Sequence, residues 1–271
     1  MNFIQAVILG ILQGLTEFIP VSSSGHLVLT QHFFDLGESQ NILFELFLHL
    51  GTLFAVFVFF HKTLWDLVVS VFSWGNTVKR ETHRENRNLI LYLIIATIAT
   101  GVVYGLFGKL FKNVYDMPIV VAFLLLVTGC LVFVSDYFKE RGIPASNMGF
   151  MRSIIIGLAQ GIAILPGISR SGATISASLA TGVKRKDAAR FSFLLSIPAI
   201  LGANASEIKA FAHLDKSQII SYLGGMVSSF IVGLLVIAFL IRLIEMGRLK
   251  YFAYYCWFIG FLCLTLLAFG L

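Results

Sequence analysis

Residues 163–175 read AILPGISRSGATI and place one cation, Arg170, between two apolar stretches that are each too short to cross a bilayer. A helix needs roughly 20 mostly apolar residues to span the hydrocarbon layer. A charged side chain at that depth costs roughly 2.5 to 3.5 kcal/mol on insertion scales and is kept mainly where it has a partner or lines a wet cavity. The stretch therefore makes Arg170 a candidate functional residue.

The bulk composition predicts an all-α polytopic membrane protein. The chain has 271 residues, of which 58% are hydrophobic and 13% are charged, whereas soluble domains have about 25% charged residues. The apolar run at 64–74 is too short to span the membrane and favours an interfacial helix. Six other runs approach the length of a transmembrane helix, near residues 42–60, 88–108, 118–136, 187–208, 219–241 and 252–271.

The basic residues predict the orientation of these spans. Outside the cluster around Arg170, most lie on one side, and only four lie on the other, namely Lys109, Lys112, Lys209 and Lys216. The positive-inside rule then places both termini outside and the loops near 76–87, 137–152, 183–190 and 242–250 in the cytoplasm. Topology thus accounts for the net charge of +6, and no nucleic-acid partner is required.

This orientation requires two segments to enter and leave the membrane on the same side. Residues 1–41 must begin and end outside, and residues 152–186 must begin and end inside. Each is therefore predicted to be a re-entrant helical hairpin, because an ordinary crossing would change sides. The alternative is that both segments are kinked helices whose small residues pack against neighbours.

The two hairpins resemble each other in sequence. The first contains GILQG at 10–14 and PVSSSG at 20–25, and the second contains GLAQG at 157–161 and PGISRSG at 166–172, aligned with one single-residue offset. Three spans follow each hairpin, so the two halves would be inserted upside down. This predicts a single membrane domain built as an inverted-topology repeat, with broken helices meeting near the midplane. The predicted repeats cover residues 1–136 and 150–271.

Polar side chains concentrate in both hairpins. Gln13 and Glu17 are four residues apart and share a helix face, and a serine-rich turn and His26 follow. Arg170 offers a planar fork of donors that suits phosphate oxygens, and amides at helix N-termini bind anions. These groups favour phosphoryl chemistry, with a serine or His26 as nucleophile and Glu17 as base or acid.

Structural roles compete with these assignments. Glu17 can serve only as the ion-pair partner of Arg170, and His26 can merely donate to a backbone carbonyl. A serine three residues before a histidine would also fit acyl transfer. Glu45 and His49, four apart on the first span, either support the pocket from behind or form simple interhelical hydrogen bonds.

The segments EFIPVSSSGH at 17–26 and PGISRSGAT at 166–174 resemble the two signature motifs of the bacterial undecaprenyl-diphosphate phosphatase family, also called bacitracin resistance proteins. The likeness extends over the whole chain in length, span pattern and repeat. It implies hydrolysis of undecaprenyl diphosphate to undecaprenyl phosphate and phosphate at the outer face of the plasma (inner) membrane. This reaction recycles the lipid carrier for peptidoglycan synthesis and protects against bacitracin.

The resemblance also implies roles for individual residues. The family's acidic pair maps to Gln13 and Glu17, its serine to Ser23, its histidine to His26 and its arginine to Arg170. We expect the substrate to be bound by Gln13, Ser22, Ser24, Gly25, Ser169, Ser171, Gly172 and Thr174.

Family members depend on a divalent cation, usually Mg²⁺ or Ca²⁺, and are often homodimers. Glu17 is the candidate metal ligand here. Because Gln13 replaces the first acid, a two-carboxylate site loses one anionic ligand, and the ion can instead arrive with the diphosphate.

The expected mechanism is attack by Ser23 on the terminal phosphorus, assisted by His26 and Glu17, while Arg170 and hairpin amides hold the diphosphate. Attack by His26 itself, through a phosphohistidine, and direct attack by water remain open. Transport is the alternative class of function, because inverted repeats with re-entrant hairpins are characteristic of secondary transporters. The same pocket would then carry a lipid phosphate across the membrane.

Overall fold

The computed structural model describes residues 2–34, 42–73, 80–138, 141–206 and 218–270. These residues form α-helices and one short 3-10 turn, and no named strand occurs among them. The prediction of an all-α polytopic membrane protein is confirmed. The helices are α1 Phe3–Thr16, α2 Ser23–Phe33, α3 Ile42–Phe59, α4 His61–Phe72, α5 Arg80–Val114, α6 Pro118–Ser135, α7 Phe150–Ile162, α8 Arg170–Ala180, α9 Arg185–Ser206, α10 Ile219–Glu245 and α11 Lys250–Ala268.

Five of these helices, α5, α6, α9, α10 and α11, are long and apolar enough to cross a membrane. The sixth predicted span corresponds to α3, which qualifies only together with α4, and these two helices meet at a 74° bend. The predicted interfacial helix at 64–74 begins earlier, at His61, and residue 74 lies outside the described part of the chain.

The predicted span at 88–108 is only the central part of a much longer helix. Helix α5 has 35 residues, because its first turns, RETHRENRN, are polar and yet helical. Hydropathy marks the part of a helix that suits lipid, whereas Arg and Glu are good helix formers in water. The hydropathy pattern therefore underestimates the length of this helix at its N-terminal end.

Short helices flank both proline turns. Helices α1 and α2 surround the turn at Pro20, and helices α7 and α8 surround the turn at Pro166. With 14, 11, 13 and 11 residues, each is too short to cross the bilayer alone. The opposite insertion of the two halves and their boundaries at 1–136 and 150–271 stay predictions, and residues 35–41 of the first hairpin lie outside the described part.

Each hairpin packs against a long helix from the other half of the chain. Helix α1 lies along α10, and helix α7 lies along α5. A Cβ atom on Gly10 would collide with the carbonyl oxygen of Gly225, and one on Gly157 would collide with the carbonyl oxygen of Ala96. The repeated glycine pattern thus permits close backbone contact between helices at two corresponding places.

The end of α1 is anchored in the main hydrophobic core. Phe18 is 1% exposed, and its ring meets the ring of Phe193 on α9 edge to face, with centroids 5.5 Å apart. Such aromatic pairs add about 0.5 to 1.5 kcal/mol beyond the area they bury. Because Glu17 immediately precedes Phe18, this contact also fixes the direction of the Glu17 side chain.

Candidate active site

Glu17 lies at the centre of the polar cluster, at the C-terminal end of α1. Its side chain is 4% exposed, and its Oε2 atom accepts hydrogen bonds from Gln13 Nε2 at 2.9 Å and from Ser23 Oγ at 2.6 Å. Hydrogen bonds to a carboxylate are shorter and stronger than those between neutral groups. The hydroxyl proton of Ser23 therefore points at the Glu17 carboxylate, and the lone pairs of Ser23 Oγ point away from it.

Arg170 reaches Glu17 from the second hairpin. Its Nη2 atom donates to Oε1 of Glu17, so the two hairpins are joined by a buried ion pair. The Nη1 atom of Arg170 is also buried but has no hydrogen-bond partner among the described residues. Because an unsatisfied buried donor is costly, the free half of the guanidinium is suited to an anionic ligand.

The two hairpins also touch through their backbones. The amide of Gly167 donates to Ser22 Oγ at 3.2 Å, and a Cβ atom on Gly25 would lie 2.9 Å from the Cα atom of Gly167. Ser171 adds a bond of 3.3 Å from its hydroxyl to the carbonyl oxygen of Ile19. Only a glycine at position 25 permits this approach, which brings the starts of α2 and α8 together.

Ser22 has a strained backbone. Its φ of 69° makes it the one non-glycine residue with positive φ in the described part of the chain, a conformation that costs of order 1 to 3 kcal/mol and clusters at functional sites. The Ser22 side chain caps α2 by accepting from the amide of Gly25 at 3.3 Å. The strain and the cap together set the direction of the following residue, Ser23.

The second hairpin has a matching cap. The hydroxyl of Ser169 accepts from the amide of Gly172 at 3.0 Å. Thr128 on α6 holds the preceding turn, because its hydroxyl donates to the carbonyl oxygen of Gly167 at 2.8 Å and accepts from the amide of Ser169 at 3.0 Å. Both helix N-termini therefore have fixed positions, and their first amides are available to an anion.

His26 is not hydrogen-bonded to Ser23, Glu17 or Arg170 in the described residues. Its Nδ1 atom lies 2.8 Å from the carbonyl oxygen of Ser22, and its Nε2 atom lies 3.0 Å from the hydroxyl of Tyr255 on α11. No sequence motif indicates a role for Tyr255, which is 229 residues away from His26. The expected direct assistance of Ser23 by His26 has no contact to support it.

Other expected site residues lie at different distances from the centre. Ser24 is half-buried beside Ser22, with the two hydroxyls 3.5 Å apart. Thr174 faces away from Glu17, since its hydroxyl bonds to the Arg170 carbonyl at 2.9 Å and lies 2.6 Å from Ser192 Oγ on α9. Thr174 thus joins α8 to α9.

His49 on α3 lies beside the ion pair. Its Nε2 atom is 3.6 Å from Oε2 of Glu17, and its Nδ1 atom bonds to the carbonyl oxygen of Glu45 at 2.8 Å. Burial raises the pKa of the Tyr115 hydroxyl, beyond the end of α5, and the negative charges of Glu45 and Glu17 raise it further.

In the described contacts, Glu17 has no free carboxylate oxygen for a metal ion. Both oxygens of Glu17 are engaged, one by Arg170 and the other by Gln13 and Ser23. In the described ranges, no three His, Cys, Asp or Glu side chains form a cluster that could hold a metal. Glu17 as a metal ligand and the use of Mg²⁺ or Ca²⁺ therefore stay predictions, and no catalytic step is assigned to an ion.

Comparison with known proteins gives a consistent result. The family model described as bacitracin resistance protein BacA matches residues 6–262. A protein named undecaprenyl-diphosphatase from Treponema denticola is 44% identical over 260 residues, which cover 94% of each chain. Proteins of the same name from Desulfosudis oleivorans and Methanobrevibacter smithii are 42% and 40% identical, and each alignment covers 96% of the present chain and at least 96% of the relative.

Proposed function

The chain belongs to the bacitracin resistance protein family and is an undecaprenyl-diphosphate phosphatase, and we propose that Ser23 is its nucleophile. The hydrogen bond of 2.6 Å from Ser23 Oγ to Oε2 of Glu17 carries this proposal. A serine hydroxyl is a weak nucleophile unless an adjacent base removes its proton. Glu17 is the base in direct contact with Ser23.

In the first step, Ser23 Oγ forms a bond to the terminal phosphorus, and the bond from that phosphorus to the bridging oxygen breaks. The proton of Ser23 moves to Glu17, and undecaprenyl phosphate leaves. In the second step, water attacks the phosphorus of the phosphoserine, and the bond from that phosphorus to Ser23 Oγ breaks. Glu17 returns its proton to Ser23 Oγ, and inorganic phosphate leaves with both protons of the water. Phosphoryl transfer needs mainly positioning and charge stabilisation beyond these groups.

Arg170 supplies charge stabilisation. One half of its guanidinium holds Glu17, and its buried Nη1 atom can donate to a phosphate oxygen. The amides at the starts of α2 and α8 add donors for the remaining oxygens. The ion pair also keeps Glu17 ionised, which a base requires.

The protein is a multi-pass membrane protein, and we place its pocket at the outer face of the plasma membrane. The basic residues of the loops support this orientation, with both termini outside. The hydrolysis recycles the lipid carrier for peptidoglycan synthesis, and the product phosphate is released outside the cell. The proposal includes a homodimer, as the resemblance to the family implies.

A groove between α3 and α10 is our candidate site for the isoprenoid tail. Its volume is about 310 Å³, and its lining is wholly apolar, made by Phe54, Val58, Met226, Val227 and Phe230. Phe54 is five residues beyond His49 on α3, which corresponds to about 8 Å along the helix axis. The same five residues turn Phe54 about 140° around α3 from His49, so a tail whose head group contacts Glu17 must pass around α3 to reach this groove.

Phosphate release from undecaprenyl diphosphate by the purified protein tests the proposal, with and without a chelator. Mass spectrometry of the quenched reaction should find a phosphoryl group on Ser23. A phosphoryl group on His26 would contradict the serine mechanism, and an active enzyme without any modified residue would favour direct attack by water. Movement of labelled lipid in vesicles without phosphate release would favour the transporter instead.

A further inference from the structure

Tyr255 on α11 makes a two-part contact with His26. Its hydroxyl lies 3.0 Å from His26 Nε2, and the two rings are nearly parallel, with an interplanar angle of 6° and centroids 5.5 Å apart. The neighbouring Cys256 lies 3.8 Å, measured from its Sγ atom, from the carbonyl oxygen of Pro20. The last helix of the chain thus holds the turn of the first hairpin at two points.

The partners of His26 determine which ring nitrogen carries the proton. Nδ1 faces the carbonyl oxygen of Ser22 at 2.8 Å, and a carbonyl oxygen can only accept a hydrogen bond. Nδ1 must therefore be protonated. In the neutral ring Nε2 then holds a lone pair, and the hydroxyl of Tyr255 donates to it. Both nitrogens are engaged, so neither is free to attack phosphorus.

The carbonyl of Ser22 is the point at which this contact reaches the nucleophile. It accepts the ring N–H of His26 and also the backbone amide of His26 at 3.1 Å. Ser22 has a positive φ of 69°, which needs support from its surroundings. Because Ser23 is the next residue, a rotation of the Ser22 carbonyl would move Ser23 Oγ away from Glu17.

We infer that Tyr255 is a positioning residue for the phosphatase reaction. It donates to Nε2 of the tautomer that the Ser22 carbonyl requires and so holds the ring of His26 against that carbonyl, and this carbonyl directs Ser23 towards Glu17. His26 is thereby a structural support for the nucleophile and does not itself become phosphorylated. The inference rests on the proposed function, in which Ser23 attacks the diphosphate.

Replacement Tyr255→Phe tests the hydrogen bond alone, because the ring and its stacking are kept. Loss of one such bond should lower kcat by about three- to tenfold, while KM for undecaprenyl diphosphate changes by less than about twofold, since the tyrosine does not touch the substrate. Tyr254→Phe is the matched control. Tyr254 is a half-exposed neighbour whose ring packs against Phe133 and Trp257, and its replacement should leave kcat unchanged.

Nitrogen-15 NMR of the labelled protein gives a measurement that is independent of activity. The chain has six histidines, and the resonances of His26 are assigned by their loss in His26→Asn. We expect a protonated Nδ1 and an unprotonated, hydrogen-bonded Nε2 in the original protein, and a shifted Nε2 resonance in Tyr255→Phe. His26→Asn should keep more activity than His26→Ala, because an asparagine amide can still donate to the Ser22 carbonyl.

Three results would each overturn the inference. The first is a proton on Nε2 of His26 in the active enzyme, and the second is a Tyr255→Phe variant with full kcat and an unchanged Nε2 resonance. The third is a phosphoryl group on His26. Failure of the proposed function is distinguishable, because the unmodified protein would then release phosphate without a phosphoryl group on Ser23 while its NMR spectrum still showed the expected tautomer.

Discussion

Ser23 Oγ lies 2.6 Å from Oε2 of Glu17, although a proline turn separates the two residues in the chain. This contact depends on the whole first hairpin: Phe18 anchors the end of α1, and the strained Ser22 begins α2. The pair is therefore a consequence of the fold, and it leads to a direct test of the nucleophile.

Ser23→Ala should reduce kcat by at least about a thousandfold, because removal of a nucleophile leaves only binding and charge stabilisation. Phosphate release under saturating undecaprenyl diphosphate measures the effect. Thr265→Ala is a suitable control, since this residue of α11 is exposed and, within the described ranges, its hydroxyl bonds to the carbonyl oxygen of Phe261 alone. Activity of Ser23→Ala within tenfold of the control would rule out attack by Ser23.

The Glu17–Arg170 ion pair predicts a non-additive effect on stability. Glu17→Leu alone leaves a largely buried guanidinium without its partner, which should cost roughly 2 to 4 kcal/mol, below the cost for a fully buried pair because Arg170 is 16% exposed. Arg170→Met alone should also destabilise. The double variant should recover most of the loss, since no uncompensated charge remains, and all three variants should be inactive.

Thermal unfolding in detergent compares the four proteins of this cycle. Additive shifts in Tm would show that the two side chains do not act as a pair. Arg248→Lys, at an exposed position near the start of α11, should unfold at the original temperature and controls for the general effect of changing an arginine.

Part of this site could be predicted from the sequence, because the features that indicate it lie within short segments of the chain. The glycine pattern, the prolines and the charge of Arg170 each mark a helix break without knowledge of its neighbours. The sequence leaves the pairing of Glu17 with Arg170 as one of two alternatives, and it allows this pairing because the two hairpins align with each other. The contact of His26 with Tyr255 could not be foreseen, because it depends on how α11 packs against the first hairpin.

Thr174 illustrates a different limit. The position of Thr174 in the second motif predicts that it lines the pocket. In the structure its hydroxyl instead lies against Ser192 on α9. Residues four apart share a helix face only approximately, and a hydroxyl can bond back to the preceding turn, as Thr174 does with the Arg170 carbonyl. The rotation of α8 against α9 decides this contact, and the sequence of α8 alone contains no information about it.

The groove between α3 and α10 predicts an effect on substrates that depends on chain length. Val227 is 50% exposed and lines the groove, so Val227→Trp should fill part of it. KM for undecaprenyl diphosphate should rise about threefold or more, which corresponds to the loss of about one buried methylene group. A short prenyl diphosphate should be hydrolysed with unchanged kcat/KM.

Leu235→Trp is the control for this substitution, because Leu235 lies on the same helix, is 70% exposed and does not line the groove. Equal effects of the two tryptophans, or equal effects of Val227→Trp on long and short substrates, would argue against the groove as the site of the tail.

The close approach of the Gly167 turn to α6 predicts a large effect of a single methyl group. Gly167 has a φ of 97°, and a Cβ atom there would lie 2.5 Å from the carbonyl oxygen of Val121. Gly167→Ala should therefore destabilise the protein by about 2 to 4 kcal/mol, through backbone strain and overpacking, and should lower kcat because the amide of Gly167 no longer reaches Ser22.

Gly101→Ala on α5 is the matched control, since a Cβ atom there meets nothing within 4 Å. It should keep full activity and gain about 0.5 to 1 kcal/mol from helix propensity. Equal Tm values for the two alanine variants would mean that the Gly167 turn is not held by this close contact with α6.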